Sequence, residues 1–247
     1  MTPSPDPVAE FLRRAWDLPP NELTAIVDVA REVLGADAAK VLVADYGLLS
    51  LRALGDDGPA GEPLTILGTL AGRALAQGDM VVSGSDATVV YLPLTEGTER
   101  VGVLELTHSR WDDGVAALAA PVAQLLVLLL ISKRRYTDAL LRSRRSEPLS
   151  TAAEIQWGLL PPLGAAAKGV AVSGILEPAY SIGGDSFDYA LNADGVDFAI
   201  VDAVGHGMPA VLLSVVAINA LRNARRERRS IADSYAAAGS AIEEQFS

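Results

Sequence analysis

Two aspartates, Asp185 and Asp202, stand where strand-like runs meet glycine-rich turns, and of all the side chains in the sequence they are the best placed to do chemistry. Asp185 follows Gly183 and Gly184. Asp202 falls at the end of the run 196–201 and opens the loop Ala203-Val204-Gly205-His206-Gly207-Met208-Pro209. The two glycines leave the backbone before Asp185 unhindered and able to turn sharply, so adjacent strands can bring the two carboxylates together. Carboxylates that meet at the end of a sheet repel unless a cation lies between them. Hard oxygen donors without histidine or thiolate favour Mg²⁺ or Mn²⁺ over Zn²⁺. The glycine-rich loop enters a helix with proline near its first turn, which leaves backbone amides free. Each fragment alone is weak, because Gly-Gly-Asp is often only a hairpin turn and a GxG before a helix occurs in many loops; their order carries the information.

The elements that must position these residues are readable around them. Residues 171–178 and 187–191 are strand-like, Ala193, Asp194 and Gly195 make a tight turn, and 196–201 form a third strand. The helix expected over 208–221 carries Val211, Leu212, Leu213, Val215, Val216, Ile218 and Leu221. It is apolar round most of its circumference, so burial against the sheet is expected. Upstream, Thr151 and Glu154 have capping-box spacing and start a short helix through Ile155 and Gln156 to Leu159 and Leu160, ended by Pro161 and Pro162. Before it lies the basic stretch 132–145, with Lys133, Arg134, Arg135, Arg142, Arg144 and Arg145, read as a solvated helical connector that Pro148 breaks.

The N-terminal half has a different rhythm. A helix over 21–34 closes at Gly35, strands at 39–44 and 48–54 flank a turn, 55–62 is a polar Gly/Pro-rich loop, and 67–77 returns to helix. A hairpin of 89–94 and 101–107 turns through Glu96, Gly97, Thr98 and Glu99, and a long helix follows from about Asp112. The order predicts an antiparallel sheet with helices on one side. The apolar run 117–131 is interrupted by Pro121 and Gln124 and is shorter than the roughly 20 residues that span a bilayer, so a buried or dimerising helix is expected and no membrane contact.

On the pattern GTLAGRALAQGDMVV followed by VVYLPLTEGTERVGVLEL, residues 21–131 resemble a GAF domain. The resemblance implies a small ligand or dimer formation. No cysteine is present to hold a bilin, and His108, a lone histidine at a strand end, reads as a surface residue, not a haem ligand.

The chain has 247 residues, half of them hydrophobic, enough for one large core or two small ones. Lysine and arginine number 20 against 31 acidic residues, a net charge of -11 that argues against a general nucleic-acid or anionic-membrane binder. The absence of cysteine excludes disulfides, zinc ribbons, thiol catalysis and iron–sulfur ligation, and fits a reducing cytoplasm, where the chain is expected. The first 20 residues have neither a basic leader nor an apolar centre, so no secretory signal is expected.

Three segments in order, AEIQWGLLPP at 153–162, EPAYSIGGDSFDY at 177–189 and AIVDAVGHGMPAVLLS at 199–214, resemble the PPM family of metal-dependent protein serine/threonine phosphatases, in the bacterial branch of the sporulation IIE phosphatase and of stress sigma-factor regulators. The resemblance implies that Asp185 and Asp202 are metal ligands, Asp202 bridging two Mn²⁺ or Mg²⁺ ions, with the Ala203 carbonyl as a further donor. It implies hydrolysis of phosphoserine or phosphothreonine by an activated water in line with the leaving oxygen, without a phosphoenzyme. The implied substrate is a phosphoserine-containing anti-anti-sigma-type protein. His206 lies at a position where the family varies, and no role is assigned to it.

The expected fold is therefore α+β: an N-terminal extension at 1–20, a GAF-like antiparallel sheet with helices at 21–131, a helical linker at 132–162, and at 163–247 the N-terminal part of an α/β/β/α phosphatase sandwich. A complete domain of that family draws further aspartates from later strands, whereas only Asp233, in a helical context, follows Asp202 here. The expectation is a fragment of a longer reading frame, a phosphatase by family whose chain alone binds metal poorly and hydrolyses little or nothing because the later metal ligands are missing. The alternative is a catalytically inactive signalling scaffold or dimerisation module. The apolar helix beside the connector suits a homodimer.

Overall fold

The computed structural model describes residues 6–55, 62–84, 87–177, 179–180 and 183–246. The chain divides into two compact units, Met1–Ser146 and Glu147–Ser247. The segment 132–162, expected as one helical linker, is shared between them, with the division falling just before Pro148.

In the first unit the elements run α1 (Pro7–Trp16), α2 (Leu23–Leu34), β1 (Ala38–Ala44), β2 (Ser50–Ala53), β3 (Leu64–Thr65), α3 (Leu70–Gln77), β4 (Val81–Ser83), β5 (Thr88–Glu96), β6 (Glu99–His108), α4 (Asp113–Lys133) and α5 (Ala139–Ser143). The six strands form one antiparallel sheet in the order β3-β2-β1-β6-β5-β4. Val41 and Val43 of β1 join Phe11, Ile26, Leu104, Leu106 and Leu126 in the main core, on the side of α1, α2 and α4. Leu42 and Ala44 pack on the other side with Leu51, Ala71, Leu75 and Val103, against α3. Helices thus cover both faces, where the sequence led us to expect one. The physical signal is the unbroken apolar run from Val41 to Ala44, the mark of a strand buried on both faces.

The expected extension 1–20 contains α1. Asp6 accepts from the Val8 amide at 3.0 Å, Pro7 opens the helix, and Phe11 and Ala15, one turn apart, are fully buried. Helix α4 begins where Asp112 accepts from the Val115 amide at 3.0 Å and runs 21 residues, past Pro121 and beyond both ends of the apolar run. It is long and apolar enough to cross a membrane by length and composition, but Val122, Ala123, Leu126, Val127 and Leu130 lie in the main core.

The basic stretch is not a continuous solvated helix. Helix α4 stops at Lys133, whose Nζ donates to the carbonyls of Trp16 and Leu18 at 3.1 and 2.5 Å. After α5, the chain folds onto the β1–β2 turn. The Arg144 guanidinium lies 4.7 Å from the centre of the Tyr46 ring and 3.8 Å from the Glu99 carboxylate. The Arg144 carbonyl accepts from the Tyr46 amide at 3.1 Å, and the Ser146 hydroxyl donates to Asp45 at 3.0 Å.

The second unit holds α6 (Thr151–Leu159), β7 (Gly164–Ala167), β8 (Val170–Ser173), β9 (Ser186–Asn192), β10 (Gly195–Val201), α7 (Met208–Arg226) and α8 (Ile231–Phe246). Helix α6 is capped by Ser150, which accepts from the Ala153 amide at 3.1 Å, one residue earlier than the expected box. Strand β8 pairs with β7, not with β9, so the strands form two separate hairpins. Helix α7 packs against β9, β10, α6 and α8. It buries Ala210, Val211, Ser214, Ala217, Ile218 and Ala224, while Leu212 is exposed, so one stripe is covered and not most of the circumference. Val196, Phe198 and Ile200 of β10 are exposed as well.

Candidate functional site

The β9–β10 hairpin sets the geometry of the acidic pair. Seven residues on each side pair from Asn192 with Gly195 to Ser186 with Val201, across a turn of Ala193 and Asp194. The next residues outward are Asp185 and Asp202. The register therefore places them opposite one another at the open end, where facing like charges destabilise a strand pair. Asp202, through hydrogen bonding first and its charge second, pushes the Asp185 carboxyl above the usual carboxylate range. Both residues are exposed to solvent.

Beyond the pair the two glycine-rich segments continue side by side. The Ala203 amide donates to the Gly184 carbonyl at 3.4 Å, and Gly183 and His206 form an antiparallel bridge. A Cβ on Gly184 would stand 2.4 Å from the Ala203 carbonyl oxygen and 2.9 Å from its Cβ, so only glycine lets Ala203 approach this closely. Gly207, with φ of 69°, turns the chain into α7, whose first turn contains Pro209. His206 is exposed beside the bridge.

The three sequence-predicted site residues, Asp185, Asp202 and Ala203, are thus brought into one small cluster. Two facing carboxylates, with a carbonyl oxygen on the adjacent residue and open access to water, fit one Mg²⁺ or Mn²⁺ ion that retains several waters. Among the described residues no group of three or more histidine, cysteine, aspartate or glutamate side chains gathers to hold a metal. Asp233 lies on α8 and does not join the pair.

Several residues that make buried hydrogen bonds in the second unit went unassigned in the sequence. Gln156 of α6 donates its side-chain amide to the Asp185 carbonyl, and Ser214 of α7 donates its hydroxyl to the Gly184 carbonyl. Both side chains belong to residues 1% exposed. Trp157 Nε1 donates to the Ala179 carbonyl at 2.8 Å, and the Tyr189 hydroxyl to the Pro162 carbonyl at 2.7 Å. The segment AEIQWGLLPP is therefore part of the second unit's structure. Asp188, 1% exposed, accepts from Arg222 at 2.7 and 2.9 Å and from Arg225 at 2.7 Å, while Arg222 also donates to the Leu159 carbonyl. The signals were polar residues at buried helical spacing, Gln156 and Ser214, and an arginine pair three residues apart on α7.

In the first unit, His108 is buried, not at the surface. Its Nε2 lies 3.1 Å from the Leu34 carbonyl, its Nδ1 accepts from the Arg110 amide at 3.0 Å, and its ring meets Trp111 edge to face. With both nitrogens engaged, it is a structural residue.

No protein-family model and no curated protein matches the chain. Among solved structures, it is similar to the GAF domain of a phosphoenolpyruvate-protein phosphotransferase from Acinetobacter, at 10% identity over 53% of this chain and 95% of that one, with a TM-score of 0.44. The GAF domain of a phosphoenolpyruvate-protein phosphotransferase from Coxiella burnetii aligns at 15% identity over 52% and 92%, with a TM-score of 0.45. The GAF domain of a two-component sensor histidine kinase from Bacillus halodurans aligns at 14% identity over 47% and 96%, with a TM-score of 0.39.

Proposed function

We propose that the second unit belongs to a divalent-cation-dependent protein serine/threonine phosphatase, and that the first unit is a GAF-like sensor controlling it through a small ligand or a second copy of the chain. The observation that carries the reading is the Asp185–Asp202 pair, set face to face by the hairpin register and flanked by Ala203 packed against Gly184. An arrangement that concentrates like charge and raises a carboxyl pKa is costly to the apo fold and is repaid by a cation. A divalent ion held there supplies charge neutralisation and lowers the pKa of water enough to make a nucleophile near neutral pH. The chain's own part is to hold Asp185 and Asp202 at one end of the hairpin, and to present the amides of the glycine-rich loop and the α7 N-terminus to a phosphoryl oxygen. The substrate on this reading is a phosphoserine on a small signalling protein of the anti-anti-sigma type, in the cytoplasm. The test is Mn²⁺-dependent release of phosphate from a phosphoserine peptide, with Asp202→Ala as control. Release lost in Asp202→Ala supports the reading, and Mn²⁺-dependent release at the same rate by both proteins overturns it.

A second reading, a non-catalytic scaffold or dimerisation module, is favoured by one observation: among the described residues no third metal-ligating side chain joins the pair. Mn²⁺ binding without turnover, together with a dimer in solution, is the result this reading expects.

A further inference from the structure

The turn that carries Asp185 is tied down from two helices. Consecutive carbonyls, those of Gly184 and Asp185, are each taken by a side-chain donor from a different helix: Ser214 on α7 and Gln156 on α6. Both donors are neutral, so they hold the turn without adding charge beside the carboxylates. Gln156 is 1% exposed, and its Oε1 has no hydrogen-bond partner among the described residues. Burying an amide with one end unsatisfied is unfavourable, and a leucine at this point of α6 would avoid that cost. What the glutamine gains in this position is its hold on the Asp185 main chain.

We propose that Gln156 and Ser214 are positioning residues that clamp the turn at Gly184 and Asp185 and so set the Asp185 carboxylate opposite Asp202 for a divalent cation, an inference that rests on the metal reading above. Partners of this kind, one bond removed from the ligands, commonly account for ~10–100-fold of metal affinity. Neither side chain touches the ion; each acts on the backbone that carries the ligand. Removing either leaves both carboxylates in the protein and changes only how well they face each other.

The test is Mn²⁺ binding by the full chain, read from the electron paramagnetic resonance signal of free Mn²⁺, which needs no turnover. Gln156→Met keeps the length and bulk of the side chain without the donor, and Ser214→Ala removes the other. Tyr189→Phe, which deletes a buried hydrogen bond in the same unit away from the turn, reports on stability alone. We expect Gln156→Met and Ser214→Ala to weaken Mn²⁺ by ~10-fold or more, Tyr189→Phe to leave the affinity unchanged, and Asp202→Asn to abolish binding. Tight Mn²⁺ binding by Gln156→Met and Ser214→Ala, alongside loss in Asp202→Asn, overturns the clamp and leaves the metal reading standing. Equal binding by wild type and Asp202→Asn overturns the metal reading itself. Amide hydrogen exchange at Asp185 and Ser186 in metal-free protein provides a second readout: faster exchange in Gln156→Met supports the clamp, and unchanged exchange overturns it.

Discussion

The Ala203 carbonyl oxygen lies where Gly184 has no side chain, 2.4 Å from the point a Cβ would occupy, and this contact joins the turn that carries Asp185 to the loop that carries Asp202. A methyl group at 184 meets backbone, which cannot rotate away, so Ala203 must shift and Asp202 with it. Gly184→Ala is expected to cost about 1–3 kcal/mol of stability, as overpacking does, and to weaken Mn²⁺ roughly tenfold. Gly183 has open space around its own missing Cβ, so Gly183→Ala should be mild in both respects. Denaturant titration and Mn²⁺ binding of the two variants check this; similar behaviour of the pair would refute the packing argument.

The acidic pair also predicts a pH dependence. Hydrogen bonding to Asp202, then its charge, raises the Asp185 carboxyl above its unfolded value. The folded chain therefore keeps a proton that the unfolded chain has released. The resulting stabilisation is fully present below the ordinary carboxylate pKa and is lost as pH rises through the raised value. Solvent screening keeps the effect small, since both residues are exposed. A divalent cation competes for the same site, so Mn²⁺ affinity should rise with pH over that window. Urea unfolding with chelator present, at several pH values, should show this decline in wild type and not in Asp202→Asn. A wild-type stability that climbs relative to Asp202→Asn over the same range contradicts it.

How much of this was legible in the sequence depends on whether the deciding interaction is local. The hairpin was, because two strand-like runs and a tight turn set their own register, and the register puts Asp185 opposite Asp202. Gly35, the turn at Glu96 to Glu99 and the start of α4 at Asp112 were legible for the same reason. The fate of residues 132–146 was not: a basic run reads as solvated, but Arg144 reaches Tyr46 and Glu99, more than 40 positions away. Pairing of β8 with β7 was missed because Gly164 to Ala167 has no apolar alternation to mark a strand. Gln156 and Ser214 stand out as polar residues at buried helical spacing, but their roles were not legible, because their partners are main-chain carbonyls, which leave no trace in residue type.

Asp188 is a point where the second unit can be broken with little direct effect on the acidic pair. Its carboxylate is buried and shared by Arg222 and Arg225, and Arg222 extends the link to the end of α6. Removing it strands two partly buried guanidinium groups, which costs more than the pair contributes when intact. Asp188→Ala is expected to lose about 3–5 kcal/mol, read from chemical denaturation of the full chain. Asp188→Asn should lose less, because it retains an acceptor for one arginine. A loss within a few tenths of wild type for Asp188→Ala would mean that the arginines find water or other partners.

Arg144 should behave differently, because burial raises the carboxyl pKa of its partner. Desolvation raises the Glu99 carboxyl, and the Arg144 charge is the main force opposing it. Arg144→Met removes that opposition together with the stacking on Tyr46, so Glu99 shifts further up and its ionised form becomes costlier. Because the folded pKa of this acid is raised, the penalty is small at pH values where Glu99 stays protonated and grows as pH rises through its folded value. The expected loss at neutral pH is about 1–3 kcal/mol, the cost of leaving a buried polar group without its partner. Glu99→Gln in the same chain should recover part of it and flatten the pH dependence. A double-mutant cycle of Arg144→Met and Glu99→Gln, measured by urea unfolding at acidic and neutral pH, separates the stacking from the ion pair. Stacking alone would leave the two effects additive, with no change between the two pH values.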